Sequence, residues 1–185
     1  QIDGNGNPWV GRRGGSGGDF NGDGVPDFVM SSNQYGALTG RTAVFFGNVG
    51  DLNLSVGGTP SAAQGFLLDG AGNEQSGTAF SLGGDVNGDG LADLLVGAFT
   101  ADNSGMNSGS AHLIFGQTGI ANAGATLAGY TNTNDAVGIR VDGSAMSGRM
   151  GRGLDLADVN GDNCADILIG ESLTGDGYAY VIYGG

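Results

Sequence analysis

Nine aspartates stand in three copies of one nine-residue pattern: Asp19-Phe-Asn-Gly-Asp23-Gly-Val-Pro-Asp27, Asp85-Val-Asn-Gly-Asp89-Gly-Leu-Ala-Asp93 and Asp158-Val-Asn-Gly-Asp162-Asn-Cys-Ala-Asp166. A hard divalent cation takes six to eight oxygens at about 2.3–2.6 Å, and a tight loop can offer them from alternate positions. Positions 1, 3 and 5 are Asp19, Asn21 and Asp23, then Asp85, Asn87 and Asp89, then Asp158, Asn160 and Asp162. Position 9 is Asp27, Asp93 and Asp166. Position 7 is Val25, Leu91 and Cys164; its main-chain carbonyl would be the donor, which leaves its side chain unconstrained. Position 6 must turn sharply, as Gly24 and Gly90 can, and Asn163 tolerates the same left-handed backbone less well. Two carboxylates about 5 Å apart repel by roughly 3 kcal/mol at an effective dielectric near 20, so such a loop calls for a cation or an open, hydrated form. An EF-hand needs an acidic ligand at position 12. Here position 12 is Met30, Val96 and Ile169, which places each loop between strands. The set implies three Ca²⁺ sites, the third weakest.

Other chemistry finds little support. Gly14-Gly-Ser16-Gly-Gly18 matches a nucleophile elbow in letters, but an elbow needs a following helix and a histidine partner. The single His112 reads as an ordinary strand residue, and Cys164, at the position of Val25 and Leu91, as a small buried one. The conspicuous aspartate pairs are already used by the loops, so no catalytic residue is assigned. Lysine is absent, and six arginines face 19 acidic residues for a net charge of −13, which argues against nucleic-acid binding. No apolar run approaches the ~18 residues of a membrane span. One cysteine excludes an internal disulfide framework. Asn53-Leu-Ser55 is a glycosylation sequon.

The loops repeat because their surroundings repeat. Asp3-Gly4, Asp69-Gly70 and Asp142-Gly143, each after an apolar residue, stand 16 residues ahead of the three loops and read as turn or bond-forming residues. An aromatic-Gly pair follows each loop at Phe46-Gly47, Phe115-Gly116 and Tyr183-Gly184. The 41 glycines are therefore periodic, and the chain is a repeat protein. Apolar segments of strand length, bounded by Gly, Asn, Asp and Ser, predict strands near 66–69, 79–84, 94–98 and 111–115 in the middle repeat. Together they would make one antiparallel sheet, repeated over about 1–48, 49–117 and 118–185. Gly-rich first strands are expected where backbones crowd, and the stretch before Asp19 is the least regular.

At these residues the chain resembles the FG-GAP repeat of integrin-α-type β-propellers in its bacterial form. Ser76-Gly-Thr-Ala-Phe-Ser-Leu-Gly-Gly-Asp-Val-Asn-Gly-Asp-Gly-Leu-Ala-Asp-Leu-Leu-Val-Gly-Ala98 and Ser110-Ala-His-Leu-Ile-Phe-Gly116 carry the likeness. The resemblance implies an all-β fold of three four-stranded antiparallel propeller blades, Ca²⁺ between the first two strands of each, and an extracellular, secreted or surface setting. It implies a role in adhesion or interaction with a protein or glycan ligand. The alternative is a non-catalytic accessory propeller of a secreted enzyme, and a third reading is a calcium-dependent enzyme with a site on the propeller face. Propellers close with about four to eight blades, so three blades read as part of a longer array or of a self-associated ring. Phe28, Met30, Ile167 and Ile169 are the candidates for the uncovered faces.

Overall fold

The computed structural model describes residues 2–3, 13–47, 54–55, 60–119, 125–126, 137–172 and 176–185. They form fourteen strands and, among the described residues, no helix. In chain order these are β1 (Ile2–Asp3), β2 (Arg13–Gly18), β3 (Asp27–Ser32), β4 (Arg41–Phe45), β5 (Leu54–Ser55), β6 (Gly65–Asp69), β7 (Phe80–Gly84), β8 (Asp93–Ala98), β9 (Ser110–Ile114), β10 (Ala125–Thr126), β11 (Gly138–Asp142), β12 (Leu154–Ala157), β13 (Asp166–Glu171) and β14 (Tyr178–Ile182). Three antiparallel sheets carry the fold. Sheet 1 runs β6-β4-β3-β2, with the two-residue β10 parallel on its outer edge; sheet 2 runs β11-β9-β8-β7; sheet 3 runs β12-β13-β14. β1 and β5 make a separate two-residue parallel pair. The described residues are all-β, and their antiparallel sheets have the build expected of propeller blades, except that sheet 3 has three strands among the described residues where four are expected.

The predicted segments are strands, but their grouping differs from the sequence repeat. β6 does not join β7, β8 and β9. It is the outer strand of sheet 1, pairing Arg41 with Asp69 and Phe45 with Gly65. β11 takes the corresponding place in sheet 2, opposite β9. A repeat fixes the length of a unit and leaves open where one unit ends, and backbone pairing sets that point.

Alternation assigns each face. Val29, Val44, Phe66 and Leu68 of sheet 1 pack with Leu94, Val96 and Ile114 of sheet 2. The opposite face of sheet 2, with Leu95, Ala111 and Leu113, packs on Ile167 and Ile169 of sheet 3. Sheet 2 is thus covered on both sides, which is why β8 and β9 are buried along their whole length. Each Leu or Ile so buried contributes about 1.5–3 kcal/mol. Ile167 and Ile169 are therefore interface residues and not an open surface. Phe28 and Met30 are half-buried against Ala43, Phe45 and Leu67. The open face lies on the other side of sheet 3.

The Gly-rich β2 is a continuous strand broken in register by a bulge between Ser16 and Gly18. β7 has the same bulge between Leu82 and Gly84. A Cβ on Gly18 would stand 2.2 Å from the Ala92 Cβ, and one on Gly84 would stand 2.6 Å from the Ala165 Cβ. The leading strand of one sheet approaches the next sheet's aspartate loop that closely, and side chains there would push the sheets apart.

Candidate metal centres

Each Asp loop joins the first two strands of its sheet: 19–26 between β2 and β3, 85–92 between β7 and β8, 158–165 between β12 and β13. The loops are built alike. Asp19 accepts from the N–H groups of Gly22 (2.7 Å), Asp23 (3.0 Å) and Gly24 (2.7 Å). Asp85 does the same with Gly88, Asp89 and Gly90 at 2.8–3.1 Å. Asp158 accepts from Gly161 and Asn163 at 2.6 and 3.0 Å. These bonds, that from Gly161 foremost, hold the exposed Asp158 carboxyl below the usual range. Asn21, Asn87 and Asn160 each donate a side-chain bond to the position-5 aspartate, Asp23, Asp89 or Asp162. The turn at position 6 is left-handed in all three, with φ of 84° at Gly24, 86° at Gly90 and 72° at Asn163. Asparagine bears this conformation as its type suggests.

Position 9 has a second task that residue types alone do not announce. Asp27, Asp93 and Asp166 are fully buried. One oxygen of each accepts the N–H of position 2: Phe20 at 2.8 Å, Val86 at 2.7 Å, Val159 at 2.8 Å. The other accepts the N–H of the glycine after the third strand: Gly47 at 3.0 Å, Gly116 at 2.9 Å, Gly184 at 3.1 Å. The recurrent aromatic-Gly pair is thereby explained. A Cβ on Gly47 would stand 2.2 Å from the Pro26 carbonyl oxygen, and one on Gly184 would stand 2.4 Å from that of Ala165. Burial pushes the Asp27 carboxyl up against these bonds. It takes Asp93 to about 6, with Asp89 and Asp85 adding repulsion.

Position 7 is also more constrained than its type suggests. Leu91 packs on Gly22 of the preceding loop, whose Cβ would stand 3.1 Å from Leu91 Cδ2. Cys164 faces Gly88 in the same way at 3.7 Å. Cys164 is half-buried and unpaired, so the expected burial is only partial. Main-chain bonds repeat the linkage. Ala92 N–H donates to Asp19 O at 2.9 Å, and Ala165 N–H to Asp85 O at 2.7 Å. Gln117 and Gly185 donate to the carbonyls of Phe20 and Val86. The loops therefore line one end of the array and lock each sheet to the next.

The donors fit a hard cation in kind: Asp, Asn, Asp, a main-chain carbonyl and Asp, all oxygen. Among the described residues no three His, Cys, Asp or Glu side chains gather into a metal-binding group; the carboxylates turn to the N–H groups instead. A carboxylate oxygen that accepts one N–H keeps a lone pair free, so this engagement leaves ligand capacity in every loop.

The remaining candidates fall elsewhere. Ser16 lies inside β2 and not on a strand-to-helix turn. His112 is buried on sheet 2, with neither ring nitrogen hydrogen-bonded among the described residues. Asp69 pairs with Arg41 across sheet 1, and Asp142 with Arg140 within β11. The side chain of Asp3 and the sequon's Asn53 lie outside the described residues.

The FG-GAP repeat family matches residues 76–113 and 150–182, so the chain carries FG-GAP repeats. The matched segments hold the second and third Asp loops, and residues 13–47 repeat the same local geometry. No curated protein matches the chain.

Proposed function

We propose that this chain is a calcium-binding propeller module of an extracellular protein, serving adhesion or another interaction and doing no catalysis itself. The observation that carries the reading is the threefold repetition of one all-oxygen loop, whose backbone is held in the same closed turn by side-chain-to-N–H bonds in every copy. Asp19, Asn21, Asp23, the Val25 carbonyl and Asp27 would hold the first ion, with the corresponding residues of the other loops holding the second and third. Bound calcium would neutralise carboxylates that otherwise repel. The protein's own part is to hold the loop closed through position 9 and to pass that order to the next sheet through the loop-to-loop bonds. FG-GAP repeats are typical of extracellular proteins, which supports the setting.

Calorimetric titration of chelator-stripped protein tests the reading. The expected stoichiometry is near three, with the Asn163 loop weakest. Asp89→Ala should abolish one site and leave two, because each sheet contacts mainly its neighbours. A stoichiometry of one or zero overturns the assignment.

A further inference from the structure

At the end of the sheets opposite the Asp loops lies a cleft of about 310 Å³. Arg13 at the start of β2 and Arg152 just before β12 stand in its wall. Ser31 of β3, Asn33 and Gln34 from the turn after it, and Gln75 and Thr78, from the segment before β7, supply the rest of its polar side chains. Of six arginines, Arg41 and Arg140 are ion-paired, while Arg13 and Arg152 make no ion pair among the described residues. The chain has 19 acidic residues, yet among the described residues no carboxylate lines this cleft. On a molecule with a net charge of −13, that is a local reversal of sign.

The walls are fixed by bonds between elements. Asn33 donates to Gln75 across the seam between sheets 1 and 2 at 3.4 Å. Ser31 Oγ donates to Gly77 O at 2.7 Å, and Thr78 Oγ1 to Gln75 O at 2.8 Å. Arg152 is held over the Phe99 ring, 5.1 Å from its centroid. Gln75 has a φ of 50°, a conformation uncommon outside glycine that these contacts maintain. Guanidinium groups recognise carboxylates by paired N–H bonds. Side-chain amides and hydroxyls offer both donors and acceptors, which suits the hydroxyls of a sugar ring. The volume stands at the small end of ligand sites, enough for one ring and not for a long chain.

We propose that this cleft binds a carboxylate-bearing sugar, a uronic acid residue of an acidic glycan. The two guanidiniums take the carboxylate and the amides take the ring hydroxyls. The site is separate from the Asp loops and does not rest on their holding calcium.

Titrating the chain with D-glucuronate in low-salt buffer, followed by calorimetry or by amide NMR shifts, tests the proposal. D-Glucose, inorganic sulfate and an N-acetyl-aspartyl amide serve as the other arms. Glucuronate should saturate, with shifts at residues 33–34 and 75–78, and should bind more weakly as salt is added. Arg13→Gln and Arg152→Gln should each weaken it about tenfold. Both side chains are exposed, so the variants should keep the parent circular dichroism. Arg149→Gln, an exposed arginine outside the cleft, should bind as the parent does. Equal binding of glucose, absence of saturation, or arginine variants that bind normally overturns the proposal. Sulfate or the aspartyl amide binding as tightly as glucuronate overturns the sugar assignment.

Discussion

The three position-9 aspartates show how one residue type can hold two roles that a spacing argument merges. Asp93 fits an alternating ligand set, but it also satisfies two main-chain N–H groups in a site with no exposure. Removing it leaves both donors buried without a partner, at about 1–3 kcal/mol each. Urea unfolding in chelator should therefore show Asp93→Ala destabilised by about 3 kcal/mol or more, while Asp89→Ala, on the exposed rim, stays within about 1 kcal/mol. Equal effects would show that position 9 is only a ligand. His112 supplies a second test. Burial, with Arg140 adding and Asp142 opposing, lowers its pKa from 6.5 to about 4. The unfolded chain thus takes up this proton at a higher pH than the folded one, and stability falls as pH drops from 6.5 through 4. The loss approaches roughly 3 kcal/mol. His112→Leu should remove that component, so its stability relative to the parent should rise across this window. A constant difference would mean the ring is not held neutral.

At the scale of elements, much of the strand pattern was legible. Gly, Asn and Asp punctuation bounded β6, β7, β8 and β9 to within about one residue, since turn chemistry is local. The sheet to which β6 belongs was not legible. Its continuous apolar run, Phe66-Leu67-Leu68, would serve either neighbour, and only pairing with β4 decides it. The tasks of Gly47, Gly116 and Gly184 were visible as a recurrence without a reason, because the N–H groups they donate carry no sequence signal. Cys164 and Leu91 looked unconstrained for the same cause: their contacts lie in another repeat, 66 to 73 residues from their own loop's counterpart. The repeat also provides an internal control. Leu95 and Leu168 occupy equivalent positions of β8 and β13, but Leu95 is covered by sheet 3 and Leu168 is half-buried. Leu95→Ala should cost about 2–5 kcal/mol and Leu168→Ala less than about 1 kcal/mol in denaturant unfolding. Similar costs would mean that the outer face of sheet 3 is as well packed as the internal one.

The whole molecule is a series of equivalent seams, and its third sheet presents the surface that the other two use for docking. Sheets 1 and 2 each offer a loop carbonyl pair, Asp19 with Phe20 and Asp85 with Val86, and both pairs are bonded by the following sheet. The corresponding carbonyls of Asp158 and Val159 receive no such bond among the described residues. Phe20 and Val86 are buried in those seams, whereas Val159 is 52% exposed. Val181 is 47% exposed on the same face as Leu168, and an apolar groove runs between them past Gly170 and Ala179. A contiguous apolar surface of this kind favours association. Sedimentation should therefore show concentration-dependent self-association at micromolar protein, and Val181→Arg should shift it toward monomer without unfolding the chain. Calcium should shift it the other way. A ligand bound only by the ordered state stabilises that state by about 2.7 kcal/mol at a hundredfold excess over its dissociation constant, and the third loop borders the open face. A monomer at every concentration, with calcium and with chelator alike, would mean that this face is satisfied within the chain and that loop order does not reach it.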